Sequence, residues 1–471
     1  MGRFSYTIFR LGVGLCLLVG VLCFGRDAGA ESLESVLVSA YRNNPSLNAQ
    51  RAATRAVDES VPQALSGYRP RITVTASGGQ QSLSTRTKYI DPTTLYLTQS
   101  GYNSPFSVGL TISQNLFDGF QTANRTRQAE MEVRAARAKL DATKQEVLLN
   151  AVTAYMNLMR DRAILGLQIR NVQVLQEQLR QTHDRFRVKE VTRTDVAQAE
   201  SRLAAGRSQV LSAEAAVEAA VGTYRQVIGH EPGKLTPTSA VDRYSPSNLA
   251  TAVALGIATN PAVVVAEFNL DAALQQVKVA EGGLLPSVSV QGNVQNSWLS
   301  PGSLSVMENF NASVLGTISV PIYQGGAEYS QVRQAKEIAG QRRLDLATAR
   351  DQVRQTIVQS WGVLQSAKAN IRAVQAQVQA AEAALNGVRE EARVGQRTTL
   401  DVLNAQQELV NARVALVSAQ RDRVVASYTV LAAVGRLSPR VLGLRVPIYR
   451  PEIHYRLVRD AWAGIRTPGG S

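Results

Sequence analysis

Residues 106–119 read FSVGLTISQNLFDG, and this stretch decides the fold because two structural periods meet in it. From Phe106 to Ile112, every second residue is apolar and the residues between are small, which is typical of a β-strand with one apolar face. After Gly119 the apolar residues recur with helical spacing, and no proline interrupts residues 120–231. The sequence therefore predicts an amphipathic strand that continues directly into a very long helix.

A second copy of this pattern follows later in the chain. Asn44-Pro45 recurs as Asn260-Pro261, which is 216 residues later. Thr194-Asp195-Val196 matches Leu400-Asp401-Val402, which is 206 residues later. The difference between the two offsets falls in the segment between the strands, so a framework of fixed length flanks a loop of variable length. We therefore predict a tandem internal duplication.

Each repeat is predicted to contain two strands and three helices. The first repeat is residues 31–247, with strands at about 70–78 and 106–116 and helices at about 46–66, 120–186 and 194–228. The second is residues 248–435, with strands at about 286–295 and 310–320 and helices at about 261–283, 326–392 and 400–434. The segments between the strands, 78–105 and 295–309, are rich in Ser, Thr, Asn and Gly and are predicted to be surface loops.

The shorter helix that ends each repeat carries a heptad pattern. Val196, Leu203, Val210 and Val217 recur every seven residues, with Ala or Gly three places after each. A seven-residue repeat predicts a left-handed coiled coil, and the small residues allow the helix axes to approach closely. A simple coiled-coil rod is the alternative, but a rod gives no reason for two amphipathic strands in each repeat.

The predicted strands have the length of tilted membrane strands, which is about 9–11 residues. A half-buried soluble hairpin and a solvent-exposed edge are the alternatives. Four strands cannot cross a bilayer alone, because an open sheet leaves unpaired backbone groups in hydrocarbon. Two copies would give an eight-stranded barrel filled by its own side chains, whereas three copies leave room for a lumen. We predict a mixed α and β fold: a homotrimeric twelve-stranded β-barrel, four strands per chain, continued by a long α-helical coiled-coil barrel.

Residues 1–30 are predicted to be a secretory signal peptide. Arg3 and Arg10 precede an apolar run from Leu11 to Phe24, and Ala28-Gly29-Ala30 supplies a small-x-small cleavage pattern, so the mature chain would begin at Glu31. An uncleaved anchor needs roughly 20 apolar residues, and this run is shorter. Both cysteines, Cys16 and Cys23, lie in this segment, which excludes disulfides and thiolate sites from the mature chain.

The formal net charge is +14, but the arginines are scattered along helices among Glu, Asp and Gln. A nucleic-acid-binding protein would concentrate this charge in one patch, so no nucleic acid is expected as a partner. The three histidines, His183, His230 and His454, show no metal-ligand spacing, and phosphate-binding and nucleophile motifs are absent from the sequence. We expect no enzyme activity, no cofactor and no metal.

The mature chain resembles the TolC family of outer-membrane efflux and secretion channels. The resemblance is most specific at residues 393–405, RVGQRTTLDVLNA, which are similar to the family's periplasmic helix-turn-helix tip. The matching turn in the first repeat is 188–196, VKEVTRTDV. The resemblance implies a homotrimer with a twelve-stranded barrel in the outer membrane of a Gram-negative cell, a helical barrel in the periplasm, and an equatorial region that includes part of the C-terminal segment 436–471.

The resemblance also implies functional residues at the tip. Arg397 and Asp195 are expected to form a latch that holds the tunnel closed, and Asp401 and Asn404 to line its constriction. Asn404 stands where the family often has a second acidic residue, which predicts a weaker cation preference and weaker block by multivalent cations. The residues expected to dock an adaptor are Val188, Lys189, Glu190, Val394, Gly395 and Gln396. Lys189 occupies the position of Gly395, and lysine fits a left-handed turn poorly, so the first turn is expected to be shaped differently.

The function implied is a passive outer-membrane exit duct of a tripartite export system. Its partners would be a periplasmic adaptor, an inner-membrane ABC or proton-driven transporter, and outer-membrane lipid. Iris-like untwisting of the tip would open the duct for type I protein secretion, drug efflux or both. The alternatives are a periplasmic adaptor, which also has a helical hairpin tip, and a structural coiled-coil or filament protein of the envelope.

Overall fold

The computed structural model describes residues 31–89, 95–299 and 307–467, and the predicted signal peptide lies outside this part of the chain. The described residues form a mixed fold that is mostly helical. The α-helices are α1 Leu33–Asn43, α2 Pro45–Asp58, α3 Ser60–Leu65, α4 Gln121–Arg187, α5 Arg193–Ile228, α6 Leu249–Thr259, α7 Pro261–Gly282, α8 Ala327–Arg393, α9 Thr399–Ala433 and α10 Pro451–Val458. The strands are β1 Arg71–Gly78, β2 Gln81–Tyr89, β3 Leu95–Asn103, β4 Phe106–Phe117, β5 Ser287–Leu299 and β6 Met307–Ser319.

Four of the strands form one antiparallel sheet in the order β1-β4-β5-β6. Val74 pairs with Leu110 of β4, and Leu110 pairs with Val294 of β5, so apolar residues of neighbouring strands stand side by side. These apolar side chains are exposed: Val74 is 69% exposed, and Val314 of β6 is 80% exposed. A sheet with an uncovered apolar face and two free edges, β1 and β6, is not a stable soluble unit.

The prediction that residues 78–105 form a surface loop is wrong. Strands β2 and β3 pair over their whole length, from Gln81 opposite Asn103 to Tyr89 opposite Leu95, and form a separate two-stranded sheet. Few of their residues are apolar, so the sequence carries no period of two there. The strands are held by backbone pairing and by cross-strand contacts such as the Arg86 guanidinium, 4.4 Å from the centre of the Tyr96 ring.

Two long helices, α4 and α8, form the length of the molecule. Each contains 67 residues, which at a rise of 1.5 Å per residue is about 100 Å. Helix α5 packs against α4 and helix α9 against α8 as antiparallel hairpins, and α7 packs between α4 and α8 nearer the sheet. The predicted helices 120–186 and 326–392 correspond to α4 and α8 within one residue.

Asn44 and Asn260 join the short helices to the hairpins in the same way. Each caps the helix that begins at the following proline, since its side-chain oxygen accepts from backbone N–H groups of the first turn. The amide of Asn44 also donates to the carbonyl of Val227, at 3.0 Å, and that of Asn260 donates to the carbonyl of Ala433, at 2.7 Å. Helices α2 and α7 are thereby attached to the ends of α5 and α9.

The main hydrophobic core lies midway along α4, where α1 and the chain after α9 wrap around the helices. Tyr41, Leu148, Tyr155, Tyr224 and Leu431 are among its fully buried side chains, or nearly so. The Tyr155 hydroxyl donates to the carbonyl of Thr236, at 2.5 Å, which ties the connection after α5 into this core. Helix α1, which wraps this core, and helix α6, which packs in a second cluster against α8 and α9, were outside the predicted helices.

Candidate functional site: the helical tip

The two turns at the far end of the helical hairpins have the same backbone geometry. The N–H of Lys189 donates to the carbonyl of Phe186 at 2.9 Å, and the N–H of Gly395 donates to that of Ala392 at 3.2 Å. The N–H of Glu190 donates to the carbonyl of Arg185, and the N–H of Gln396 donates to the carbonyl of Glu391, each at 2.9 Å. This pair of bonds is the Schellman ending of a helix, which satisfies carbonyls that would otherwise lack a partner.

Lys189 is in the left-handed region at φ 65°, where its counterpart Gly395 has φ 79°. The expectation that lysine gives the first turn a different shape is therefore wrong. The helix ending before the turn and the capped helix after it fix the backbone on both sides, and lysine adopts the strained conformation at a cost of about 1–2 kcal/mol.

A capping box begins each returning helix. The Thr192 hydroxyl accepts from the N–H of Asp195 at 3.3 Å, and the Asp195 carboxylate accepts from the N–H of Thr192 at 2.9 Å. Thr398 and Asp401 repeat this arrangement, at 3.2 and 3.0 Å. Both predicted functional aspartates are thus the third residue of a helix and stabilise its start.

These hydrogen bonds perturb both carboxyl groups. Donation from the Thr192 hydroxyl and backbone holds the pKa of Asp195 below its usual value. Donation from the backbone and hydroxyl of Thr398, with the nearby charge of Arg397, likewise lowers the pKa of Asp401. Asp195 and Asp401 therefore favour the charged form as the chain folds.

Arg397 does not contact Asp195 within one chain. Its guanidinium pairs instead with Glu391 across the second turn, at 2.8 Å, and this hydrogen bond raises the pKa of Arg397. The first turn has a comparable pair between Arg185 and Glu190, at 3.2 Å. Each turn is therefore closed by its own ion pair.

Asn404 has a partner that the sequence did not reveal. Its side-chain oxygen accepts from the guanidinium of Arg202 at 2.7 Å, so α5 of one hairpin is bonded to α9 of the other. Beside this contact, Leu403 is buried in a cluster with Leu175 and Leu203 of the first hairpin. The residues are about 200 positions apart in sequence, and only the packing of the two hairpins brings them together.

A polar groove runs between the two hairpins just above the turns. Its volume is about 870 Å³, and its walls include Glu177, Gln181 and Glu190 from the first hairpin and Arg389 and Arg393 from the second. The predicted docking residues Val188 and Val394 lie in the turns that follow α4 and α8 and are 66% and 71% exposed. The tip thus presents exposed apolar side chains in its turns and a charged groove between its hairpins.

Comparisons with known proteins agree with this architecture. A family profile described as outer membrane efflux protein matches residues 36–230 and 254–436. Outer membrane efflux protein BepC of Brucella suis is 42% identical over 470 residues, covering 99% of each chain, and outer membrane protein TolC of Escherichia coli is 26% identical over 459 residues, covering 93% of this chain and 89% of that one. The crystal structure of the Campylobacter jejuni CmeC outer membrane channel superposes with a TM-score of 0.72 at 18% identity, over 92% of this chain and 94% of that one. The predicted resemblance is confirmed, and this outer-membrane protein belongs to the outer membrane efflux protein family.

Proposed function

We propose that this chain is a passive exit duct of the outer membrane that completes a tripartite export system. The observation that carries the proposal is the direct continuation of membrane-length strands into helices. Only residues 118–120 separate β4 from α4, and seven residues separate β6 from α8. A tube built on this connection crosses the membrane and extends about 100 Å beyond it without a break in its wall.

The sheet supports a homotrimer. Strands β1 and β6 each have one unpaired edge, and hydrocarbon does not tolerate unpaired backbone groups. Three chains joined at these edges give a closed barrel of twelve strands with a lumen. The internal duplication is supported by the likeness of the two halves, since each contains a strand pair, a long helix, a turn of equal geometry and a capping box.

The latch is proposed to form between neighbouring chains. Within a chain, Asp195 uses one carboxylate oxygen for its capping box, and Arg397 pairs with Glu391. An exposed ion pair contributes about 0–1 kcal/mol, so three such contacts hold a gate that an adaptor opens at small cost.

Asp195→Asn and Arg397→Gln should each increase the single-channel conductance in planar bilayers, because each removes one partner of the proposed latch. Arg393→Gln, which breaks the exposed tip pair with Glu390, should leave it unchanged; an equal increase there would refute the latch.

The constriction is proposed to be a ring of Asp401 with Asn404 one turn above it. Asn404→Asp, made together with Arg202→Gln because the Arg202 guanidinium would otherwise pair with the new carboxylate, would add three carboxylates per trimer to the three of Asp401, so cation preference and block by trivalent cations should both rise above those of Arg202→Gln alone. Ion selectivity from reversal potentials and block by hexamminecobalt measure the change. Asn411→Asp, two turns further along α9, is the control. Block in the double variant that equals the block in Arg202→Gln alone would remove this residue from the constriction.

The efflux name of the family and of BepC supports small-molecule export, and secretion of proteins is the second candidate. Photocrosslinking in intact cells from Glu190 and Gln396, followed by mass spectrometry, tests docking and separates the two. An adaptor of a proton-driven pump assigns drug efflux, and an adaptor of an ABC exporter assigns type I secretion. Leu211, 67% exposed on α5, is the control site. Capture of no adaptor from either tip position would contradict the docking model.

A further inference from the structure

The C-terminal segment after α10 returns to the base of the sheet. Arg69, two residues before β1, donates a hydrogen bond from its guanidinium to the carbonyl of Ala461 at 2.6 Å. The same guanidinium lies 4.9 Å from the centre of the Trp462 ring. Residues 459–467, here called the C-terminal strap, therefore lie next to the helix-side end of the first strand.

Helix α10 fixes the direction of the strap. Its inner face is buried against α2 and α4, where His454 contacts the buried carboxylate of Asp58 at 3.0 Å. One turn further on, Arg459 lies 3.7 Å from Glu130 near the start of α4. The chain thus climbs along α4 toward the strands, and Trp462 is reached after α10 has been firmly attached.

The strap presents apolar and cationic side chains together. Trp462 is 72% exposed and Ile465 is completely exposed. The guanidinium groups of Arg459 and Arg466 accompany them, and Asp460 is the one acidic residue in the strap. An exposed tryptophan beside arginines is the composition found where a protein meets the polar surface of a bilayer.

Exposed aromatic side chains flank three of the strands at the same end of the sheet. Tyr68 precedes β1, Phe120 follows β4 and Tyr323 follows β6, and each is more than half exposed. The strap adds Trp462 to this level, although it is nearly 400 residues away in sequence. The aromatic level is therefore continuous with the membrane-facing strands.

We propose that the C-terminal strap is an interfacial anchor that binds anionic phospholipid headgroups of the periplasmic leaflet. Trp462 and Ile465 enter the headgroup region and Arg466 pairs with a lipid phosphate, while Arg459, which lies beside Glu130, adds positive charge at the same level. Each such arginine strengthens the attraction to an anionic surface by a factor of about five. The inference rests on the proposed barrel, because that barrel places the helix-side strand ends at this leaflet.

Spin labelling of the full trimer in vesicles tests the anchor. The chain from residue 31 onward contains no cysteine, so Ile465→Cys provides a single labelling site. The vesicles contain phosphatidylcholine alone, or equal parts of phosphatidylcholine and phosphatidylglycerol. Collisions with oxygen report lipid, and collisions with a water-soluble nickel chelate report solvent. We expect the oxygen-to-nickel ratio at position 465 to rise several-fold in the anionic vesicles and to fall when Arg466→Gln is added.

Two further labels separate the possible failures. Val314→Cys, on the exposed face of β6, reports insertion of the barrel, and Leu211→Cys reports solvent on α5. A lipid-exposed label at 314 together with a solvent-exposed label at 465 would refute the anchor alone. Solvent exposure at both would refute the barrel placement. Low accessibility to both reagents at 465, with dipolar broadening between labels, would show that the strap packs on a second copy of the chain, and would also refute the anchor.

Discussion

At the scale of single residues, the tip shows how much strain two fixed helices impose on the turn between them. Lys189 has a left-handed backbone although nothing about lysine favours it. Gly395 satisfies the same geometry without a side-chain clash. The sequence located this difference correctly, but its structural consequence was predicted wrongly because turn shape depends on the hydrogen bonds of both neighbouring helices.

Lys189→Gly is expected to stabilise the first turn by about 1 kcal/mol, because it removes the left-handed strain, less the extra chain entropy of glycine. Gly395→Lys is the matched reverse change and should destabilise the second turn by a similar amount. Hydrogen exchange of the amides of residues 183–192 and 389–398 measures the local free energy of opening. Equal protection in the wild type and in Lys189→Gly would show that the turn carries no strain.

At the scale of helices and strands, the sequence predicted the elements whose apolar residues recur at a regular spacing. Alternation gave β4, and an unbroken helical period gave α4 and α8 almost to the residue. Strands β2 and β3 were missed because few of their side chains are apolar, so no regular alternation marks them. The latch and constriction residues were named by their position in a motif, whereas the Arg202–Asn404 bond depends on how two hairpins pack.

The capping boxes make the start of α5 and α9 sensitive to acid. The folded pKa values of Asp195 and Asp401 lie below the ordinary 3.8, so their contribution to stability is complete above that value and is lost as the pH falls through the lowered pKa. The protection factors of the first-turn amides, which are the intrinsic exchange rates divided by the observed ones, should therefore fall on acidification through this range.

The double variant Asp195→Asn and Asp401→Asn provides the comparison. The side-chain amide oxygens of this variant still accept from the threonine N–H groups, so the helices remain capped. The protection factors of the first-turn amides should therefore no longer change on acidification. An unchanged pH profile in this variant would mean that other groups cause the acid effect.

At the scale of the whole molecule, one chain is visibly incomplete. The four-stranded sheet exposes apolar residues on the face that carries Val74 and Val314, and within the described part of the chain its outer strands have no further neighbour. The sequence pattern predicted these strands, but neither it nor a single chain determines how many copies would close the proposed barrel. That number follows only from the curvature of the assembled sheet and the space left for a lumen.

Disulfide crosslinking between β1 and β6 of neighbouring chains tests the closure. Ile72 and Ile318 lie near the helix-side ends of these edge strands, so the double variant Ile72→Cys and Ile318→Cys should give covalent trimers after oxidation. Ile112→Cys with Ile318→Cys is the control, because β5 lies between β4 and β6. Covalent dimers without trimers, or equal crosslinking in the control, would contradict a closed ring of three chains.

The position of the β2–β3 hairpin also bears on how the sequence of this protein varies between strains. Nine paired residues extend about 30 Å, and in the proposed orientation this hairpin projects outward from the rim of the barrel. Antibodies and bacteriophages meet such a projection early. Because the side chains described for β2 and β3 belong to no buried cluster, mutations that escape recognition there cost little stability, so we expect this hairpin to diversify between strains faster than the helices do.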